Sequence, residues 1–294
     1  MIAPSVARAR TFSSLVKLSH TVFALPFAAA AVALATLRPH TALTAGRTLW
    51  MLVAMVTART AAMAYNRYLD RDIDAENPRT RDREVPRGIV SPGAALGLTI
   101  GSSAAFVASA VALGRWPGLL SVPVLAVLLG YSWTKRFTWA SHLVLGLALA
   151  LAPGGAWVAM GAEPEPAIFA LMLGVMTWVG GFDVLYSLQD ERFDRDHGLR
   201  SIPARFGTLG AVVISAALHV VTLASLVACG LWLGRGAAFF AGTALVGLLL
   251  VYEHALVGRG NLAKIDRAFF DINGYLSVAF FALTAIDAWM TTLS

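Results

Sequence analysis

Acidic side chains recur at four-residue spacing in two segments of a chain that is otherwise strongly apolar. On an α-helix, residues four apart lie on one stripe, with a rise of about 6 Å from one to the next. A carboxylate close to lipid is costly unless it is paired or bound to a metal, so such acids are functional candidates. Two triplets close long apolar stretches in this way: Asn66, Asp70 and Asp74, and Tyr186, Asp190 and Asp194.

These side chains suit the binding of divalent cations against a multiply charged anion. Magnesium takes hard oxygen ligands and commonly binds through one or two carboxylates plus substrate phosphates. Basic residues near the triplets would neutralise a departing diphosphate, or they would serve only to set membrane topology. The basic candidates are Arg79, Arg83, Lys135, Arg136 and Arg200. Helical geometry turns Asp72 and Asp196 to other faces, so we expect both to be solvated or paired with arginine.

The elements that must position these residues are membrane-spanning helices. Of 294 residues, 57% are hydrophobic and 14% are charged, whereas soluble domains have roughly 25% charged residues. A stretch of about 20 apolar residues crosses a bilayer as a helix. Nine stretches qualify, near 17–37, 48–70, 93–114, 117–134, 139–160, 166–189, 209–233, 237–257 and 268–290. The sequence therefore predicts an all-α fold, an integral membrane bundle of nine transmembrane helices forming one domain over 1–294.

The placement of lysine and arginine predicts the orientation of this bundle, because these residues concentrate in cytoplasmic connections. With a cytoplasmic N-terminus, the outer connections carry only Arg38, Arg47, Arg115 and Arg235. The N-terminus and both acidic motifs are then expected on the cytoplasmic side of the inner membrane. The net charge of +6 reflects this topology and gives no reason to expect nucleic-acid binding. The single cysteine, Cys229, excludes an internal disulfide and a cysteine-based metal site.

The two acidic segments resemble the signature motifs of the UbiA superfamily of intramembrane aromatic prenyltransferases. The first motif is Asn66-Arg67-Tyr68-Leu69-Asp70-Arg71-Asp72-Ile73-Asp74, continuing through Asn77-Pro78-Arg79-Thr80 to Arg83-Glu84-Val85-Pro86-Arg87-Gly88. The second motif extends over 181–207, a third and less diagnostic loop over 131–137, and an N-terminal pattern includes Lys17 and His20. One departure is Arg67, at the second position of the motif, where the family usually has an aspartate. The pattern is most similar to the 4-hydroxybenzoate polyprenyltransferase branch.

The resemblance implies a central cavity capped on the cytoplasmic side, with a lateral opening to membrane lipid for a polyprenyl chain. It implies Mg²⁺-dependent transfer of a polyprenyl group from polyprenyl diphosphate to the ring of a hydroxylated aromatic acid, 4-hydroxybenzoate, in ubiquinone or menaquinone biosynthesis. An alternative acceptor is 1,4-dihydroxy-6-naphthoate, and haem or chlorophyll prenylation on the same scaffold is a further one. A transporter also places acids in helices, but near the middle of the bilayer. No obligatory protein partner is expected.

The resemblance also assigns roles to individual residues. It implies metal binding by Asn66, Asp70, Asp74, Asp190 and Asp194, where the Asn66 amide either ligates magnesium or orients a carboxylate. Asp183 and Asp190 are the catalytic candidates, and Asp183 either supports the metal or removes the ring proton. Tyr186 and Arg59 are substrate-binding candidates together with the five basic residues above. Arg59 lies seven residues before Asn66, on nearly the same helix face, and is a candidate partner for the acceptor carboxylate or a motif acid.

Overall fold

The fold of the chain is helical throughout the residues that the computed structural model describes, 21–257 and 262–293. No strand occurs in these two ranges, which confirms the all-α prediction. The elements are α1 Thr21–Ala35, α2 Ala45–Leu69, α3 Arg71–Glu76, α4 Pro92–Leu113, α5 Arg115–Thr134, α6 Ser141–Ala159, α7 Pro166–Tyr186, a 3₁₀ turn Ser187–Asp190, α8 Glu191–Asp196, α9 Ile202–Trp232, α10 Ala237–Val257 and α11 Leu262–Leu293.

Eight helical segments are long and apolar enough to cross a membrane, judged by length and composition. They are α2, α4, α5, α6, α7 through α8, α9, α10 and the part of α11 over 271–293. The remaining expected span, 17–37, overlaps α1, an apolar helix of 15 residues. Lys17 and His20, from the N-terminal pattern, lie outside the described residues. Multi-pass membrane character thus agrees with the sequence, with eight long spans in the described part.

Helix α9 begins at Ile202, seven residues earlier than the expected span over 209–233. Ser201 caps the helix, because its hydroxyl accepts a hydrogen bond from the Ala204 N–H at 3.3 Å. Pro203 fits in this first turn, where a missing N–H costs little. Gly207 then interrupts the helix with φ 71° and ψ 176°, a conformation that glycine adopts most readily. The connection between the expected spans 166–189 and 209–233 therefore ends in a short capped helical turn.

The chain forms two compact units. Of the described residues, the α2–α5 unit contains 48–133, and the α6–α11 unit contains 22–47, 134–257 and 262–293. In the first unit, Val90 and Leu98 pack against buried Ala64. In the second, an aromatic core joins α1, α7 and α11, with ring centroids 4.9 Å apart for Phe27 and Trp178 and 5.1 Å apart for Phe27 and Phe280. Each unit contains one of the two acidic triplets; the single-domain assignment stays a prediction.

Helices α6 and α7 approach each other closely within the second unit. A Cβ atom added at Gly146 of α6 would collide with the carbonyl oxygen of Met176 in α7. Small residues permit this kind of backbone contact between membrane helices. The contact brings the first turn of α6, which contains His142, beside the last turn of α7, which contains Asp183.

Candidate active site

The first acidic motif forms a stripe across the junction of α2 and α3. Asn66 lies in the last turn of α2, Asp70 lies between the two helices with φ −91° and ψ 5°, and Asp74 lies in α3. Hydrogen bonds from the Asp70 N–H to the Asn66 carbonyl (2.9 Å) and from the Asp74 N–H to the Asp70 carbonyl (2.7 Å) keep the helical spacing. The three side chains therefore share one face although the helix is interrupted at Asp70.

Within this motif, the Asn66 amide orients the Asp70 carboxylate. Its Nδ2 donates a hydrogen bond to Asp70 Oδ2 at 2.6 Å. Its Oδ1 accepts one from Arg67 Nη1 at 3.3 Å. The Arg67 side chain is almost fully buried, with Nε 3.8 Å from Glu84 Oε2. Arg67, the residue that departs from the family pattern, thus fixes the Asn66 amide through a hydrogen bond. This geometry corresponds to the alternative in which Asn66 orients a carboxylate instead of binding magnesium.

The last acid of the first motif is paired with a basic candidate. Arg83 Nη1 lies 2.7 and 2.8 Å from the two carboxylate oxygens of Asp74. Asp74 is buried, whereas Arg83 keeps part of its surface exposed. The intervening segment is fixed by hydrogen bonds from Thr80 Oγ1 to the Asp74 carbonyl and from the Arg79 N–H to the Asn77 amide oxygen. An anionic ligand that binds Arg83 Nη1 therefore competes with Asp74 for this nitrogen.

The second motif repeats this pattern with a different helix ending. Helix α7 ends at Tyr186, and a 3₁₀ turn leads to Asp190, whose φ of −98° and ψ of 0° resemble those of Asp70. The helical stripe expected through Tyr186, Asp190 and Asp194 is thus interrupted by a 3₁₀ turn. The Ser187 hydroxyl donates to the Val184 carbonyl at 2.8 Å and competes with helix continuation. A 3₁₀ turn also has fewer residues per turn than an α-helix, so the rotation between Asp183 and Asp190 changes.

The last acid of the second motif is also buried and paired. Asp194 is 1% exposed, and its Oδ2 lies 3.3 Å from Lys135 Nζ. Asp190 is buried as well. Arg200 is held beside this pair, because its N–H donates to the Lys135 carbonyl and its Nη1 to the Phe137 carbonyl at 2.7 Å. Both motifs therefore end in a buried aspartate that contacts a basic candidate.

Asp72 and Asp196, which were expected on other helix faces than the motif acids, are exposed. Asp72 has 81% of its side chain exposed beside Arg71, and Asp196 has 65% exposed beside Arg192. This outcome confirms the expectation from helix periodicity, because neighbouring aspartates in the same motifs are buried. These two residues provide matched controls for the buried acids.

The remaining basic and aromatic candidates have distinct surroundings. Arg59 is half-buried in α2 and interacts electrostatically with Tyr131 of α5, which also lies near Asp70. Arg79 is exposed, while Arg136 and Tyr186 are half-buried. Tyr131, noted from the sequence only as part of a loop motif, thus lies near both Arg59 and Asp70 within the α2–α5 unit.

Sequence reasoning did not identify His142, the second residue of α6. Its side chain is completely buried, and Nδ1 lies 2.6 Å from Asp183 Oδ2. On the other side of the ring, Nε2 lies 3.3 Å from the Ile202 N–H nitrogen at the start of α9. A histidine shortly after the Lys135-Arg136 pair was the available signal, but its partner is 41 residues away in the sequence.

The donor set of each motif fits magnesium. Asp70 and Asp74 carry the carboxylate oxygens of one motif, and Asp190 and Asp194 carry those of the other. Among the described residues, no three His, Cys, Asp or Glu side chains form a ready metal cluster. Magnesium does not require one, since one or two carboxylates plus substrate phosphates commonly hold it. The buried carboxylates next to cations match that chemistry.

Comparison with known proteins identifies the family of the chain. The model of the UbiA prenyltransferase family matches residues 24–283. The 4-hydroxybenzoate octaprenyltransferases of Azoarcus sp. (strain BH72) and Aromatoleum aromaticum are 30% and 29% identical over 235 and 228 residues. These matches cover 80% and 78% of this chain and 81% and 77% of the relatives.

Solved structures share the fold. The apo structure of a UbiA homolog from Aeropyrum pernix K1 has a TM-score of 0.82 and 34% identity, and the match covers 94% of this chain and 98% of that one. A UbiA homolog from Archaeoglobus fulgidus bound to GPP and Mg²⁺ has a TM-score of 0.69 at 19% identity, covering 95% and 99%. With the family model matching most of its length, the chain belongs to the UbiA prenyltransferase family.

Proposed function

We propose that this protein transfers a polyprenyl group from polyprenyl diphosphate to the ring of 4-hydroxybenzoate, with Mg²⁺ as cofactor. The observation that carries the proposal is the repeated pairing of a buried aspartate with a cation, Asp74 with Arg83 and Asp194 with Lys135. Such pairs supply both the carboxylates that attract a divalent metal and the cations that receive a diphosphate. The names of the relatives support 4-hydroxybenzoate as acceptor.

The acids and the bases have separate tasks in this reaction. Asp70, Asp74, Asp190 and Asp194 hold Mg²⁺, and Asn66 orients Asp70. When bound, Mg²⁺ neutralises charge on the diphosphate as the bond to the prenyl carbon breaks. Arg83 and Lys135 exchange their aspartate partners for diphosphate oxygens, and they are joined by a group of exposed or half-buried cations. That group is Arg79, Arg136 and Arg200.

Bond formation follows the departure of the diphosphate. The C–O electron pair leaves with the diphosphate, and the ring carbon ortho to the hydroxyl donates a pair to the allylic carbon. The ring proton then passes to the Asp183 carboxylate, and the C–H pair restores the aromatic ring. Arg59, near Tyr131, binds the carboxylate of the acceptor, and Tyr186 lines the substrate site. Asp190 contributes to catalysis through the charge it places at the departing group.

The protein acts as one domain in the inner membrane in this proposal. The N-terminus and both acidic motifs face the cytoplasm, where water-soluble acceptors are available. The polyprenyl tail remains in lipid, since its apolar surface gains nothing from leaving the bilayer. The product then enters quinone biosynthesis.

The test is a membrane assay with polyprenyl diphosphate, Mg²⁺ and either 4-hydroxybenzoate or 1,4-dihydroxy-6-naphthoate. Asp70→Asn and Asp190→Asn should each lower kcat by at least about 100-fold, since several kcal/mol of charge stabilisation are lost. Asp72→Asn and Asp196→Asn, at exposed positions in the same motifs, should retain activity. Chelation of Mg²⁺ should abolish turnover.

Three outcomes would contradict the proposal. Formation of the naphthoate product alone would replace 4-hydroxybenzoate as the acceptor and leave the two-motif site intact. Near-normal activity of Asp70→Asn and Asp190→Asn would reject the site. Activity that is unaffected by chelation would reject the metal.

A further inference from the structure

His142 joins a catalytic candidate to a helix N-terminus through the two nitrogens of one buried ring. Nδ1 lies 2.6 Å from Asp183 Oδ2, and Nε2 lies 3.3 Å from the nitrogen of Ile202. We propose that His142 is a positioning residue that fixes the Asp183 carboxylate for removal of the ring proton, an inference that rests on the proposed function. The three residues belong to α6, α7 and α9 of the same unit.

The Ile202 N–H determines which tautomer of His142 is present. A backbone N–H only donates, so Nε2 must offer its lone pair as the acceptor. The proton of the neutral ring is then on Nδ1, where it donates to Asp183 Oδ2. Only this tautomer satisfies both contacts, and its orientation toward Asp183 cannot reverse without leaving the Ile202 N–H unsatisfied.

The surrounding helices make this arrangement rigid. Ile202 is the first residue of α9, where the N–H has no partner within the helix. Ile202 is fully buried, so its N–H depends on His142 rather than on water. The close contact of Gly146 with the Met176 carbonyl fixes the separation of α6 and α7. Asp183 is therefore anchored from a side that water does not reach.

The Asp183 side chain itself is not fully enclosed. A quarter of its side chain is exposed, whereas His142 has no exposed surface. A carboxylate that is held at one oxygen and accessible elsewhere has the geometry of an oriented base. Such orientation matters because a displacement of about 1 Å at a reacting group costs roughly 100-fold in rate.

Two isosteric substitutions separate the two contacts of His142. In His142→Asn, the amide nitrogen overlays Nδ1 and continues to donate to Asp183, while the acceptor for the Ile202 N–H is lost. In His142→Gln, the amide group reaches the position of Nε2 and accepts from the Ile202 N–H, while the donor to Asp183 is lost. We expect a kcat roughly 100-fold lower for His142→Gln, and a several-fold smaller loss for His142→Asn. KM for polyprenyl diphosphate should stay unchanged in both.

A kinetic isotope effect distinguishes positioning from general structural support. With acceptor deuterated ortho to the hydroxyl, His142→Gln should show a larger primary isotope effect on kcat than the unmodified protein, because proton removal has become slower. Adding His142→Gln to an Asp183→Asn background should cause no further loss. His197→Gln, at an exposed histidine, is the matched control and should leave kcat unchanged. Equal losses in His142→Asn and His142→Gln without a change in isotope effect would overturn the inference.

The tautomer itself is measurable without turnover. In protein labelled with ¹⁵N-histidine, the resonances that disappear in His142→Asn should report a protonated Nδ1 and an unprotonated Nε2. The opposite tautomer would overturn the inference whatever the activity. If the unmodified protein transfers no prenyl group to any aromatic acceptor, the proposed function is rejected. The ¹⁵N resonances would then still show whether His142 donates from Nδ1 to Asp183.

Discussion

Buried aspartates at the ends of both motifs carry their own counterions. Both carboxylate oxygens of Asp74 accept hydrogen bonds from Arg83 Nη1, and Asp194 Oδ2 accepts one from Lys135 Nζ. A buried carboxylate without a partner is destabilising, so these cations maintain the acids in the absence of metal. The same cations compete with a metal for the carboxylate oxygens. Removal of one cation should therefore affect metal and diphosphate binding in opposite directions.

Arg83→Gln should bind divalent metal alone more tightly and polyprenyl diphosphate more weakly. We expect a change of about tenfold in each affinity, since charged pairs of this kind are worth on the order of 1–2 kcal/mol. Mn²⁺ binding followed by electron paramagnetic resonance, without diphosphate, measures the first effect. KM for polyprenyl diphosphate measures the second.

Arg81→Gln provides the control for this experiment, because Arg81 lies in the same segment and is exposed. It should change neither affinity. Weaker Mn²⁺ binding by Arg83→Gln would contradict the competition between Arg83 and metal. A thermal unfolding measurement on both variants would identify any loss of folded protein.

At the level of elements, the α-helix of each motif is interrupted at the middle aspartate or in the turn that leads to it. Asp70 and Asp190 share φ near −95° and ψ near 0°, a sparsely populated region where active-site residues often occur. Periodicity in the sequence predicted which side chains share a stripe, because residues four apart are neighbours by local geometry. It did not predict the interruptions, since these depend on side-chain hydrogen bonds such as that of Ser187.

Tertiary pairings were still harder to predict from the sequence. The Asp183 carboxylate was identified from its spacing, but its His142 partner depends on the approach of α6 to α7 at Gly146. The Lys135–Asp194 pair likewise joins residues 59 apart in sequence. A single sequence carries strong information about local periodicity and little about which helices are neighbours.

The close contact of α6 with α7 predicts how two glycine substitutions in α6 affect stability. Gly146→Ala should lower the free energy of unfolding by about 1–3 kcal/mol, because the new methyl group meets the Met176 backbone rather than a movable side chain. Gly155→Ala is the matched control in the same helix, where no atom lies within 4 Å of the added Cβ. Replacing that glycine should be neutral or stabilising.

Thermal or denaturant unfolding in detergent compares these two alanine variants directly. Similar stability of Gly146→Ala and Gly155→Ala would show that α6 and α7 do not meet at this glycine. It would also remove the support that this contact gives to the His142–Asp183 pair.

For the whole molecule, the distribution of charge predicts the orientation in the membrane. Lysine and arginine occur sparingly in the outer connections of the proposed topology, where Arg115 is the first residue of α5, directly after α4 ends. Arginines are frequent in the segments that follow both acidic motifs. Helix α4 has 22 residues, enough to separate the ends of one span by about the thickness of the hydrocarbon core. Residues that flank the two ends of α4 should therefore face different compartments.

Cysteine labelling tests this orientation, because Cys229 is buried and is the only native cysteine. In a Cys229→Ala background, Arg115→Cys should react with a membrane-impermeant maleimide in intact cells. Arg81→Cys and Arg192→Cys should react only in inverted membrane vesicles, since both follow motif acids on the side expected to face the cytoplasm. Labelling of Arg81→Cys and Arg192→Cys from opposite sides would contradict the proposed topology, because four spans separate these positions and an even number of spans leaves both on the same side of the membrane.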